Sequence, residues 1–260
     1  MSRHCLWILL PAMALALAGF AERQMTFPPK NHDLDNNDNF SPDGRWICYD
    51  TRDTVGYGIG NSLSIEALDT QTGEEKVLYA PANPIIGEQA APGAGAVSFS
   101  PISDTLIFIH GPQVDEVAAR GYYDKPNRTG ASVSLSAPGE LVWLDKRDIA
   151  TDRPTLPGAH RGGTHRHEFS LDGKRIGFTY DDFLCPQYDR TVGYMEANPK
   201  APATHYFAII VPVVPKDTAK PGEIEKAYSD SWVGREGLMR AFIGKVRNDD
   251  GKDYTESLFV

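Results

Sequence analysis

The chain has 260 residues, of which 41% are hydrophobic and 23% charged, a composition typical of a globular protein with a large core. Its formal net charge is −9, and lysine and arginine form no cluster interleaved with aromatic residues. Because a nucleic-acid backbone is bound by concentrated positive charge, this composition argues against nucleic acid as a partner.

Residues 1–21 have the pattern of a secretory signal peptide. Arg3 provides a positive charge ahead of an apolar segment from Leu6 to Ala18, and small residues follow it. The apolar segment is too short to span a bilayer comfortably, so we expect no stable membrane span after cleavage. The sequence therefore predicts a periplasmic or secreted protein, whose mature part is residues 22–260.

A sequence pattern recurs three times in the mature part. It reads FSPDGRWI at 40–47, FSPISD at 99–104 and FSLDGKRI at 169–176. Each copy predicts a strand end, a tight turn and a returning strand, which together form a hairpin. Hairpins that recur at intervals of tens of residues are typical of repeat architectures.

Further strands are predicted between these hairpins, giving about four strands per repeat, as in a propeller blade. One segment, Glu223–Trp232, looks helical, and a turn at 248–252 leads into an apolar strand at 254–260. We expect three to four blades of a larger ring that is incomplete at the C-terminus. The predicted strands are Arg45–Asp50, Ser62–Leu68, Glu75–Tyr79, Thr105–His110, Gly139–Leu144, Arg175–Tyr180 and His205–Val214.

The repeats are longer than the roughly 40 to 50 residues of familiar propeller repeats, so the excess must form loops. Three turn-rich segments are the candidates, at 54–61, 111–136 and 185–204. Long insertions usually carry function. Of the two cysteines in the mature part, Cys48 alternates with apolar neighbours in a strand and is predicted to be a buried free thiol.

The FSPDGRWI pattern at 40–47 resembles the repeats of TolB-like six-bladed propellers. Longer motifs, at 108–112, 161–167 and 178–182, are similar to a bacterial family of TolB-like propellers that has no established function. The resemblance implies an all-β fold, a TolB-like β-propeller of the six-bladed type, and it implies no activity.

A weaker resemblance is to oligogalacturonate lyases, propellers that hold manganese with histidines. His165 and His167 match their His-x-His pair, whereas Gly162 stands where those enzymes have glutamine. The resemblance implies Mn²⁺ or another divalent cation held by His165, His167 and a further histidine such as His205. It also implies a metal-dependent carbohydrate enzyme as an alternative function.

His165 and His167 are two residues apart in a predicted inner strand, so both imidazoles are expected on one side of it, at the channel mouth. Because a hairpin returns the chain to the same end, other polar residues should join them. A ring of polar side chains around the channel mouth could bind a divalent cation, or a carboxylated sugar through Arg52 and Arg161. Alternatively, it is only the hydrated lining of the channel. The predicted ligand-binding residues are His165, His167, His110, Asp50, Arg52, Arg161 and Asp181.

The sequence contains no Gly-x-Ser-x-Gly nucleophile turn. The favoured interpretation is therefore an exported propeller that binds a ligand or a protein partner at the channel mouth. An envelope protein and a carbohydrate are the expected partner classes, and the metal-dependent lyase is the alternative.

Overall fold

The computed structural model describes residues 22–53 and 58–260, and the predicted signal peptide lies outside these residues. Within them, no helix is long and apolar enough to cross a membrane. The regular secondary structure of these residues is mostly strand, with one short α-helix, α1, at Val117–Arg120 and three short 3-10 helices. The strands are β1 Trp46–Asp50, β2 Ile65–Asp69, β3 Glu75–Tyr79, β4 Ala94–Phe99, β5 Thr105–His110, β6 Thr129–Ser134, β7 Val142–Trp143, β8 Gly163–Phe169, β9 Arg175–Asp181, β10 Thr191–Ala197, β11 His205–Ile209, β12 Ile224–Val233, β13 Met239–Arg247 and β14 Tyr254–Phe259.

These strands form four antiparallel sheets in chain order, with three strands in the first (β1–β3), four in the second (β4–β7), four in the third (β8–β11) and three in the fourth (β12–β14). Within each sheet every strand pairs with the next along the chain. The segment before β1 adds two isolated bridges to it, Asp33 to Asp50 and Phe40 to Ile47. The predicted all-β propeller with three to four blades is confirmed.

The repeated FSPDG-type turns fold in the same way in the first and third sheets. The Ser41 hydroxyl donates to the Asp43 carboxylate at 2.6 Å, and Ser170 donates to Asp172 at the same distance. The glycine after each aspartate has a φ of 69°, a left-handed value that other residues disfavour. The sequence repeat therefore encodes one hairpin turn.

The predicted helix at Glu223–Trp232 is wrong, because all of this segment except Glu223 lies in strand β12. Its pairing with β13 shifts register twice, once between Ile224 and Lys226 and again between Tyr228 and Ser231. Each shift interrupts the period-two alternation by which a strand is recognised in sequence. The sequence of this segment therefore lacks the alternation of apolar and polar residues that would have predicted a strand.

Apolar side chains pack between consecutive sheets rather than within a single one. One cluster joins the first two sheets and includes Cys48, Leu78, Phe99 and Phe108, all at most 1% exposed. A second cluster joins the second and third sheets, and a third joins the third and fourth. This stacking of sheets supplies the core of the structure.

Both cysteines of the described residues are free thiols. Cys48 is buried, as predicted, and its burial raises the pKa of the thiol far above its usual range. Cys185 is only partly buried.

Replacing Phe108 by alanine tests the inter-sheet core. Phe108 is fully buried, 5.5 Å from the Tyr79 ring of the first sheet. We expect Phe108→Ala to lower the free energy of unfolding by about 3 to 5 kcal/mol, through lost burial and the cavity that it leaves. Urea denaturation measures the change. The control Phe27→Ala removes a ring that is 76% exposed and should have little effect; equal losses would contradict this packing.

Candidate functional site

The segment before β1, four loops and strand β8 line a pocket of about 430 Å³, here called the mouth pocket. Four cationic side chains line it, with two carboxylates and one histidine. The cations are Lys125, Arg128, Arg166 and Arg190, the carboxylates are Asp35 and Glu88, and the histidine is His165.

A bulge in β8 gives His165 and His167 different surroundings. Arg166, between them, has a left-handed φ of 59°, and the pairing with β9 shifts register between His165 and Glu168. His165 is partly buried and lines the mouth pocket, whereas His167 is completely buried. The expectation of two imidazoles side by side is therefore wrong, because alternation holds only for extended backbone.

Similar left-handed residues occur in the corresponding first segment of each of the other sheets. These segments, called the inner segments, are the stretch ahead of β1, β4, β8 and β12. Ala96 in β4 has a φ of 54°, Ser229 in β12 has 51°, and Asp38 ahead of β1 has 56°. The pairing of β4 and of β12 shifts register at these points. The bulge of β8 therefore belongs to a feature that the four inner segments share.

Arg128 approaches the mouth pocket from the loop between β5 and β6. Its guanidinium lies 4.8 Å from the centre of the Tyr123 ring, and its Nε is buried without a hydrogen-bond partner. A Cβ on Gly163 would collide with the backbone carbonyl of Lys125, so only glycine lets β8 and this loop approach so closely. The loop that carries Lys125 and Arg128 is thus fixed against the inner strand.

His165 is held in its neutral form. Burial, followed by the neighbouring cations Arg128 and Arg190, lowers the pKa of His165 well below its usual value. Its Nδ1 is buried and has no hydrogen-bond partner. A neutral imidazole with a free ring nitrogen is able to donate to or accept from a bound ligand.

Asp50 and Arg52 form a buried ion pair. Arg52 Nε donates to Asp50 Oδ1 at 2.7 Å, its Nη1 donates to Asp35 Oδ2 at 3.1 Å, and both side chains of the pair are fully buried. The backbone N–H of Ala96 donates to Asp50 at 2.8 Å and ties the pair to the second sheet. The guanidinium of Arg52 therefore already binds carboxylates of the protein.

The predicted ligand-binding residues Asp181 and Arg161 do not line the mouth pocket. Asp181 accepts from Arg190 at 2.7 Å and so adjoins the mouth pocket only through that side chain. Arg161 pairs with Asp182 at 2.7 Å, and both line a separate cavity of about 230 Å³.

His110, His167 and His205 do not line the mouth pocket. His110 Nε2 lies 2.7 Å from the Tyr79 hydroxyl, and His205 Nδ1 lies 2.9 Å from the hydroxyl of the preceding threonine. Within residues 22–53 and 58–260, no group of three or more His, Cys, Asp or Glu is placed to hold a metal ion. A metal held by His165, His167 and His205 stays a prediction.

Sequence reasoning did not identify Lys125, Arg128 or Arg190, the loop cations of the mouth pocket. They lie outside the repeated turn, so no repeat pattern marks them. The available signal was loop length, since the pocket residues Asn61, Arg128 and Arg190 come from the three long insertions. The long insertions were predicted to carry function. That prediction identified the loops, but it did not identify which of their side chains line the pocket.

The four stacked antiparallel sheets define a β-propeller. TolB-like propellers are among its neighbours in solved structures. TolB from Acinetobacter baumannii matches with 13% identity and a TM-score of 0.42, covering 88% of this chain and 43% of TolB. The putative TolB from Agrobacterium tumefaciens matches with 14% identity and a TM-score of 0.39, covering 73% of this chain and 61% of that one.

Residues 93–215 match the sequence model of a family described as protein of unknown function (DUF3748). The chain is also 32% identical over 259 residues to the Uncharacterized protein YidR of Escherichia coli (strain K12). That match covers 92% of this chain and 57% of YidR, so the chain spans little more than half of this relative. The predicted resemblance to an uncharacterised family of TolB-like propellers is confirmed.

Acid should destabilise the fold through its buried histidines. Burial lowers the pKa of both His110 and His167 to about 4, whereas an unfolded histidine titrates near 6.5. Between these values the unfolded chain binds protons that the folded chain excludes. The free energy of unfolding should therefore fall as the pH drops from about 6.5 to 4.

The variant His110→Phe keeps a ring among Tyr79 and Trp143 and removes one titrating group. We expect its free energy of unfolding to vary less steeply with pH, by up to about 1.4 kcal/mol per pH unit. Urea denaturation at several pH values between 4 and 7 measures both slopes. Equal slopes for the variant and the unmodified protein would contradict the buried neutral state of His110.

Proposed function

We propose that this chain is an exported TolB-like propeller that binds an anionic ligand, a carboxylated carbohydrate, at the mouth pocket. The observation that carries the proposal is the excess of four cationic side chains over two carboxylates there. Asp35 already pairs with Arg52 and Arg190 with Asp181, which leaves three cations and one carboxylate. The local charge is thus opposite in sign to the net charge of −9 of the whole chain, so the pocket attracts anions selectively.

Unpartnered nitrogen atoms support the same conclusion. Arg128 is only 9% exposed, and neither its Nε nor the Nδ1 of His165 has a hydrogen-bond partner. Buried polar atoms are normally satisfied, so a ligand that supplies acceptor oxygens would stabilise both. The planar guanidinium of Arg128 suits a carboxylate in particular.

A carbohydrate fits the remaining lining better than a bare anion does. Asp35, Glu88 and Asn61 offer oxygen acceptors for sugar hydroxyl groups, and Tyr123 adds an aromatic side chain. A uronate has both the carboxylate that the cations attract and the hydroxyl groups that these acceptors bind. Export belongs to the same proposal and rests on the pattern of residues 1–21. The lyase alternative stays a prediction from the histidine pair.

Arg166→Asn tests the proposal with little risk to the fold. Arg166 is exposed with a left-handed φ, a conformation that asparagine tolerates well. Calorimetric titration of the mature protein with oligogalacturonate should give saturable binding that the variant weakens about 10- to 100-fold, as expected for the loss of a charged hydrogen bond. Neutral oligosaccharides of equal length should not bind.

The matched control is Arg235→Asn, which removes an exposed arginine in the turn between β12 and β13, away from the mouth pocket. It should leave the affinity unchanged. Equal affinity of the unmodified protein and Arg166→Asn, or equal binding of neutral and acidic oligosaccharides, would exclude the proposed site.

A further inference from the structure

A second and larger cavity, of about 600 Å³, lies beside β7 and the segment that follows it. We call it the flank pocket. Trp143 of β7 forms part of an apolar wall, and Arg120 of α1, Lys146 and Arg147 add positive charge. Its volume is within the range of small-molecule sites in proteins. No residue of the flank pocket also lines the mouth pocket.

Arg147 is the unusual side chain of this pocket. It is only 9% exposed, and its Nε, Nη1 and Nη2 are all buried without a hydrogen-bond partner. Its guanidinium stacks 4.6 Å from the centre of the Phe183 ring. The backbone on either side is fixed, because Asp148 N–H donates to the His160 carbonyl at 2.7 Å and His160 N–H donates to Lys146 at 3.0 Å.

A buried guanidinium without partners is costly to the fold, since its charge loses water and gains no acceptor. Burial and the nearby Arg120 lower the pKa of Arg147 to about 10, so the group is still charged at neutral pH. A charge kept buried and unpaired in this way is stabilised when an anion enters the cavity.

Arg120 adds a second set of free donors. Its Nη1 donates to Glu116 at 2.7 Å, while its Nε and Nη2 are buried without partners. The other carboxylate of the pocket, Asp145, accepts from the Gly130 N–H at 2.9 Å and from the Thr164 hydroxyl at 2.7 Å. Asp145 is therefore engaged by groups outside the arginine pair, Glu116 accepts from only one nitrogen of Arg120, and five nitrogens of the two arginines have no partner in the protein.

From these contacts we infer that the flank pocket is a binding site for a small organic carboxylate. Arg147 and Arg120 hold its carboxylate group, and its apolar body packs against Trp143. The planar guanidinium binds a planar carboxylate through two parallel hydrogen bonds, which favours this anion over a tetrahedral one.

Benzoate is a suitable probe, with benzyl alcohol as its neutral counterpart and inorganic phosphate as a tetrahedral anion. The mature protein is titrated with each at constant ionic strength, while the melting temperature and tryptophan emission are recorded. Benzoate should raise the melting temperature and change the emission in a saturable manner. Benzyl alcohol should do neither, and phosphate should act only at concentrations at least tenfold higher.

Arg147→Met separates a binding role from a structural one. Methionine keeps an apolar contact with Phe183 and removes the unpaired charge, so the ligand-free variant should melt at a higher temperature than the unmodified protein. Its apparent affinity for benzoate should fall at least tenfold. Arg235→Met, the same substitution at an exposed arginine, should leave both quantities unchanged.

Two further variants locate the probe. Trp143→Phe should abolish the emission change and keep the benzoate-induced rise in melting temperature. Arg166→Asn, in the mouth pocket, should leave both benzoate effects intact. The inference is overturned if benzoate has no saturable effect or if benzyl alcohol acts equally. It is also overturned if Arg147→Met binds benzoate as tightly as the unmodified protein, or if Arg166→Asn loses the benzoate effects. Failure here leaves the mouth-pocket proposal standing, because the two depend on different arginines.

Discussion

A left-handed residue within each inner segment is the constraint on which the arrangement of the mouth depends. In β8 this residue is Arg166, and its conformation directs His165 to the mouth pocket while His167 packs fully buried between sheets. An uninterrupted strand would place both histidines on one face. The backbone bulge therefore decides which histidine lines the mouth pocket and which is buried in the core.

The buried polar groups of the inner segments join the sheets to one another. Asn36 donates its amide to the His167 carbonyl at 2.8 Å and to the Ala96 carbonyl at 3.1 Å, which links three inner segments. The pair of Asp50 and Arg52 lies close by and is also tied to Ala96. Asp50, which the sequence predicts as a ligand-binding residue, thus accepts from a backbone N–H that the bulge of β4 leaves unpaired.

The sequence was informative about the fold because its turns are encoded locally. Ser41 and Asp43 form their turn with contacts inside one hairpin, so a short pattern is enough to predict it. The site was predictable only in part: His165 lines the mouth pocket, but the cations around it come from loops that approach one another only in the folded chain. Arg52 pairs with Asp50, two residues earlier, and with Asp35, whereas the free Nε of Arg128 depends on how its loop packs in the folded chain, which no local pattern reports.

The two thiols of the described residues differ in accessibility in a way that provides a chemical probe of the fold. Cys48 lies in the core between the first two sheets, and Cys185 is partly exposed in the loop after β9. A maleimide dye will therefore label folded protein of residues 22–260 at Cys185, and Cys48 will react only when the first and second sheets separate. The rate of this second labelling reports the opening of one inter-sheet contact without any engineered cysteine.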